Sequence, residues 1–305
     1  MTAAAPPVVG GSLRAHVAAA LARFLIGARL GPAPDVARVR RVLGGTGMPS
    51  PRGVSFVPGT VGDVRGEWVR AEGRVPAGRL LYLHGGGFVA CSPRTYRPLT
   101  GVLARRGFEV FVPRYRRAPE HPFPAAHGDA WAAWCGLAAA GPAVLAADSA
   151  GGHLALGTML RARDECGPMP RAAALFSPFL DLALTGASMT DNAGRDGLLR
   201  EALLRRFART YLGEAGEDAP FAAPLSYDLA GLPPLLVHVG EREVLRDDAL
   251  RLARAGSAAG VAVELAVFRA VPHTWQLAFA LLPEARRSLN EAAAFLRRNL
   301  GTGPG

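Results

Sequence analysis

Lysine is absent from the chain. All 35 Lys/Arg positions are arginine, set against 25 acids for a formal net charge of +10. Uniform arginine usage points to a GC-rich coding bias as readily as to an anionic partner. The arginines are scattered along helix-like runs, some beside acids as in Arg200-Glu201, and no basic tract carries interleaved aromatics. That distribution excludes a nucleic-acid footprint and reads as a solvated surface. Cysteine is scarce too: Cys91, Cys135 and Cys166 are an odd number with no Cys-x-x-Cys pair. They supply neither a disulfide framework nor a metal centre, and reduced thiols suit a cytoplasmic protein. No apolar run reaches 18 residues, so no membrane span is expected. The opening Met-Thr-Ala-Ala-Ala-Pro-Pro has no basic segment leading into an apolar core, so no secretory signal is read there. There is no internal repeat.

Apolar residues, by contrast, make up half of the 305 positions, ample for one large core. The stretch Val144-Leu-Ala-Ala-Asp-Ser-Ala-Gly-Gly-His153 organises the rest. An apolar strand-like run, 143–147, meets Asp148-Ser149-Ala150-Gly151-Gly152 and then a helical spacing of Leu154, Leu156, Met159 and Leu160. A serine held between strand and helix by small neighbours is a nucleophile elbow, Gly-x-Ser-x-Gly, in which the tight turn holds the hydroxyl above the sheet edge. Here Ala147 occupies the first glycine place. Taken alone, the pentapeptide also fits an ordinary strand–turn–helix.

Taken in order, residues 1–11 are Pro/Gly-rich and are expected to start without order. Ser12 is placed to cap a helix carrying Leu13, Val17, Leu21, Phe24 and Leu25, and a second, arginine-rich helix is expected over 34–43. This helical arm suits either a lid or the cover of a sheet face. Residues 54–79 alternate and turn like antiparallel strands, with Trp68-Val69-Arg70 the clearest. Further strands are expected at 80–83, 108–112, 143–147, 172–176, 235–239 and 261–268, with helices at 94–106, 125–139 and 283–300. Between Phe179 and Pro234 the alternation breaks into loops around one helix, 198–211, the pattern of an inserted cap. Strands alternating with helices predict an α/β fold with a mostly parallel sheet covered on both faces.

In such a sheet, reacting groups gather at the carboxyl ends of the strands. Those ends carry His84-Gly85-Gly86-Gly87, Ser149, Glu241-Arg242-Glu243 and Pro272-His273. A donor loop, a hydroxyl, a carboxylate and an imidazole are what acyl transfer needs. Serine needs a base, histidine titrates near neutrality, and its imidazolium needs an acid on the other nitrogen. The order Ser149, Glu243, His273 is the one expected of this architecture. Backbone N–H groups of Gly86, Gly87 and Ala150 are the candidate oxyanion donors.

His84-Gly-Gly-Gly-Phe88, Tyr115-Arg-Arg-Ala-Pro-Glu-His-Pro-Phe-Pro-Ala125, Asp148-Ser-Ala-Gly-Gly152 and Pro272-His273 together resemble the hormone-sensitive-lipase-like carboxylesterases (bacterial family IV) of the α/β-hydrolase fold. The motifs span about Leu81 to Trp275 in the family's order. The resemblance implies hydrolysis of short- to medium-chain acyl esters, a small-molecule ester substrate, no cofactor and no metal. It also implies a helical cap, corresponding to residues 1–45 and about 180–230, on a catalytic domain running from 46 to 305. Two departures stand out. Ala147 replaces a glycine, and Glu243-Val-Leu-Arg-Asp247 replaces Asp-Pro-Leu-x-Asp, so the acid aligned on the leucine is a glutamate. Asp247 and Asp248 compete for that role, but they fall at or within the next helix and more simply cap or solvate it.

His84 is read as ordering the glycine loop, His238 as a satisfied core histidine, His153 as packing, and His121 and His127 as structural. Tyr115 and Glu120 are expected to brace the Pro-rich loop. Phe88, Val89, Leu198, Leu199 and Trp275 are candidates for an acyl pocket, although apolar side chains of this kind more often mean core. An acyltransferase, lactonase or amidase would use the same three residues, and a binding protein that has lost catalysis has no need of all three. A homodimer is among the assemblies the sequence leaves open.

Overall fold

The computed structural model describes residues 7–31, 34–45, 49–216 and 219–301; residues 1–6, part of the segment expected to lack order, fall outside them. In chain order the elements begin β1 (Val8–Val9), α1 (Leu13–Ala22), α2 (Val36–Leu43), β2 (Val54–Val61) and β3 (Val64–Ala71). They continue β4 (Gly78–Leu83), α3 (Pro93–Arg105), β5 (Phe108–Pro113), α4 (Ala125–Ala138), β6 (Ala143–Asp148) and α5 (Ala150–Asp164). The last are β7 (Ala173–Phe176), α6 (Glu201–Leu212), β8 (Leu235–Gly240), α7 (Arg246–Ala258), β9 (Val263–Phe268) and α8 (Pro283–Asn299).

The sheet runs β1-β9-β8-β7-β6-β4-β5-β3-β2, with β2–β3 and β3–β5 antiparallel and the remaining pairs parallel. Strands β6, β7 and β8 are buried at every residue, which is why they read as continuous apolar runs rather than alternations. The sheet thereby sets the carboxyl ends of β4, β6, β8 and β9 along one edge, where the chemistry-bearing loops emerge.

Three boundaries depart from the sequence reading. Val8 and Val9 do not belong to a free arm; they add a parallel strand at the sheet edge against Val267 and Phe268. Strand β9 starts at Val263, because the N–H of Val261 turns back to the carbonyl of Gly256. The insertion helix starts at Glu201 rather than Leu198, since the N–H groups of Leu198 and Leu199 are taken by the Asp196 carboxylate. Ser12 does cap α1, its hydroxyl accepting from the N–H of Ala15. Among the described residues, no helix is long and apolar enough to cross a membrane.

The core encloses four histidines. Burial lowers His84, His127 and His153 to about 4 and His238 to about 3, so all four are neutral when folded. On unfolding they recover pKa values near 6.5, so the unfolded chain binds more protons as pH falls below 6.5. Asp148 and Asp248, both raised to about 6 by burial, act in the opposite sense and are more stable at the acid end of that window. Asp196 and His273, raised as well, act with these two acids, while Asp181 and Glu120, lowered, act with the histidines; the four large histidine shifts decide the sign. Stability is therefore expected to fall by on the order of several kcal/mol between pH 6.5 and 4, measurable as a drop in urea midpoint. A midpoint constant over that window would contradict the account.

Candidate active site

The elbow begins with geometry that only a sharp turn provides. Ser149 has φ +50° and ψ −124°, a region disfavoured for a side chain, which costs about 1–3 kcal/mol and which the surrounding strand and helix impose. The need for a small residue after the serine is visible at Gly151, where a Cβ would stand 2.0 Å from the Leu83 carbonyl oxygen. Ala147 has no such conflict; it lies fully buried in β6, in register with Leu83 and Leu175. The extra methyl is simply accommodated.

The structure brings Ser149, His273 and Glu243 into one hydrogen-bonded line. His273 Nε2 lies 3.0 Å from Ser149 Oγ, and His273 Nδ1 lies 2.6 Å from Glu243 Oε2. All three side chains are buried. Glu243 Oε1 accepts from Ser177 Oγ at 2.7 Å and from the N–H of Gly240 at 2.6 Å, which fixes the carboxylate plane. Burial works against charging His273, but the Glu243 carboxylate, with Asp196 and Asp148 further off, outweighs it and raises its pKa above 6.5.

Asp247 and Asp248 do not reach His273. Asp247 Oδ2 accepts from the N–H of Ser188, and Asp248 Oδ2 from the N–H groups of Leu180 and Asp181. Rather than capping or solvating their own helix, they tie the start of the 180–199 segment to α7. That segment grips the acid loop elsewhere too. Asn192 Nδ2 donates to the carbonyls of Glu241 and Glu243, and Asp196 Oδ2 accepts from the N–H of Val244. Asp196, 6% exposed, has its pKa raised, first by burial and then by the charge of Glu243. Ser177, Asn192 and Asp196 escaped the sequence reading because their roles depend on a loop 48 to 66 residues away.

The glycine loop faces the serine. Gly86 (φ +113°) and Gly87 (φ +61°) adopt conformations that favour glycine, and among the described residues nothing accepts from their N–H groups. Ala150 is the first residue of α5, where helix geometry leaves the N–H without an acceptor in its own helix. His84, neutral, stacks on Tyr115 at 4.3 Å, and its Nδ1 lies 2.8 Å from the Gly85 carbonyl. Tyr115 donates to the His84 carbonyl at 2.7 Å, so both side chains engage the loop. A buried group not foreseen completes it. Asp148 accepts from the hydroxyls of Tyr82 and Tyr96 and from the N–H of Gly85, joining elbow to glycine loop. The Asp in the elbow motif was the available signal for it.

Around this centre the pocket candidates separate. Phe88 lies flat against Tyr211 of α6, ring centroids 3.8 Å apart, and is fully buried with Val89. Leu198 and Leu199 sit on the loop capped by Asp196. Trp275 packs in a second apolar cluster with Val9, Ala15 and Phe268. Phe207 was missed: a Cβ on Gly87 would stand 2.3 Å from its ring, so this α6 side chain lies directly over the glycine loop. Arg40 of α2 reaches the same loop from the other side, donating to the Val89 carbonyl and to Glu120. Glu120 thus fastens α2 to the Pro-rich loop. Of the remaining histidines, His238 Nδ1 meets Ser288 Oγ at 2.9 Å in the core, as expected. His153 packs edge-on to Phe88 and Tyr211, and His127 stacks on Phe221. His121 is exposed. Among the described residues no three His, Cys, Asp or Glu side chains cluster to hold a metal.

The arrangement can activate a hydroxyl, hold a developing oxyanion and return a proton. Comparison with known proteins points the same way. A family model described as alpha/beta hydrolase fold matches residues 80–277. An acetyl-hydrolase of Streptomyces hygroscopicus is 42% identical over 274 residues, covering 87% of this chain and 89% of its own. An esterase of Acinetobacter venetianus is 34% identical over 248 residues, covering 79% and 82%. The crystal structure of an esterase from the bacterial hormone-sensitive lipase family superposes with a TM-score of 0.87 at 36% identity, covering 95% of this chain and 99% of that one.

Proposed function

The chain belongs to the hormone-sensitive-lipase-like carboxylesterases of the α/β-hydrolase fold and is a carboxylic ester hydrolase, and from that premise we propose that it cleaves short- to medium-chain acyl esters through an acyl-enzyme on Ser149. The observation that carries this reading is the continuous Glu243–His273–Ser149 line, at 2.6 and 3.0 Å. Ser149 Oγ attacks the ester carbonyl as its proton passes to His273 Nε2. Glu243 holds Nδ1–H and stabilises the imidazolium. The N–H groups of Gly86, Gly87 and Ala150 receive the oxyanion, each worth about 3–4 kcal/mol in comparable sites. The tetrahedral adduct collapses with His273 protonating the leaving alcohol. Water, deprotonated by the same nitrogen, then releases the acid and restores Ser149.

The segment closing over the site is read as a cap formed by the N-terminal helices and residues about 180–230. Phe207 over Gly87 and Arg40 on the Val89 carbonyl support that reading. A wall of this kind beside the glycine loop limits acyl length. With purified protein, kcat/KM across a p-nitrophenyl series is expected to peak between acetate and octanoate and to fall toward palmitate. Highest activity on palmitate would overturn the chain-length reading. A cytoplasmic location is also proposed, supported by three unpaired cysteines.

A pH dependence follows from His273. The base works only unprotonated, and its pKa is raised, so kcat/KM is full above that value and declines as pH falls through it. The inflection is expected on the alkaline side of 6.5. An inflection well below it would show that the Glu243 charge does not act on this imidazole.

A further inference from the structure

Helix α1 is packed inside out. Small residues face the protein: Ala15 is fully buried, and Ala19 comes so close to the 194–197 loop that a Cβ on Gly197 would stand 2.9 Å from its carbonyl oxygen. A Cβ on Gly27, in the π turn Arg23–Gly27 that follows, would likewise stand 2.9 Å from the Gly197 carbonyl. With backbones this close only small residues fit inward. The large ones, Leu13, Val17, Leu21, Phe24 and Leu25, recur at three- and four-residue spacing and point outward, Leu13 80% and Phe24 79% exposed. A monomer rarely leaves such a contiguous apolar face to water.

Charge identifies what covers it. Residues 1–62 contain seven arginines and one acid, Asp35, and no acid precedes it. Arg14 and Arg29 are exposed within the helical arm itself, and Arg38 and Arg41 are exposed on α2 beside it. Asp35 is already engaged, accepting from the N–H of Arg38. A second copy docked two-fold on this face would set Arg14 and Arg29 near their own equivalents, with no acid of the arm's own sequence other than Asp35 to offset them. An apolar helix face bordered by arginines matches an anionic bilayer, into which the apolar side chains enter while the guanidinium groups meet phosphate.

We propose that the outward face of α1 and its π turn is a docking surface for anionic lipid membranes. The helix leans on the loop that carries Asp196, so docking would hold the active-site side of the fold near the bilayer. Anchorage is firm enough for the purpose: Arg23 donates to the Gly194 carbonyl, and the N–H of Ser12 donates to Glu284 Oε1 at 2.6 Å.

Co-sedimentation of the full chain with phosphatidylglycerol and phosphatidylcholine vesicles tests this. At low salt, at least about tenfold more protein is expected with phosphatidylglycerol, the difference shrinking as salt is raised. The double variant Leu21→Glu/Phe24→Glu is expected to lose that binding about tenfold or more while keeping wild-type turnover of soluble p-nitrophenyl acetate. Retained turnover shows that the variant folds and separates this test from that of the catalytic reading. Equal sedimentation of wild type and variant, or equal binding to both lipids, would overturn the proposal. So would failure to bind either vesicle together with a dimer in sedimentation velocity that the double variant dissolves, because a second copy would then cover the face.

Discussion

Ser149→Ala is expected to lower kcat for p-nitrophenyl acetate by about 10⁵–10⁶-fold while the protein stays folded. In the proposed mechanism the oxygen removed is the one that forms the bond to carbon. Among the described residues its one hydrogen bond is to His273, so its loss breaks no other. Alanine also keeps the Cβ, so the turn at φ +50° is no harder to form. A residual acceleration of about 10³–10⁴ over water would remain, because the oxyanion donors are backbone groups that the substitution leaves in place. Adding His273→Ala should cost little more, since a base without a nucleophile has nothing to deprotonate. Stopped-flow release of p-nitrophenolate reads both variants. A Ser149→Ala rate near wild type would end the mechanism.

Glu243→Gln is expected to lower kcat by about 10⁴-fold, and the reason is a tautomer. Two donors, Ser177 Oγ–H and Gly240 N–H, converge on Oε1. In glutamine the amide oxygen must stay with them, which turns the NH₂ toward His273 Nδ1. That nitrogen then has to accept, the proton moves to Nε2, and the imidazole presents a hydrogen to Ser149 instead of a lone pair. The lost negative charge also lowers the His273 pKa, shifting the acid limb of kcat/KM downward. Asp247→Asn is the matching control. Its carboxylate binds the N–H of Ser188 rather than the imidazole, so kcat/KM should stay within about tenfold of wild type. The reverse ranking of the two variants would move the acid to Asp247.

The parts of this site that could be read from sequence are those that announce themselves locally. Buried strands appear as apolar runs, and their carboxyl ends carry the glycines, serine, glutamate and histidine that the sheet lines up along one edge. Glu243, which meets His273 Nδ1, stood out by its place after β8, although its residue type differs from the common motif. What stayed hidden is set by contacts across the chain. Val8–Val9 is too short a run to signal a strand and pairs only because β9 offers an open edge. Asp196 and Asn192 resemble loop polars until the 241–244 turn arrives above them. Trp275 follows His273 by two residues, yet the chain turns it into the cluster around Phe268, while Phe207, distant in sequence, covers Gly87. The outward stripe of α1 shows the opposite limit. Its periodicity was plain, but periodicity alone does not say which side of a helix meets the protein.

The most direct test of the covalent step is the intact mass of the protein after exposure to a fluorophosphonate, followed by peptide mapping. One phosphonyl group on Ser149, absent from Ser149→Ala, is the predicted result. An actively hydrolysing wild-type protein that stays unlabelled, or carries the label on another residue, would contradict it.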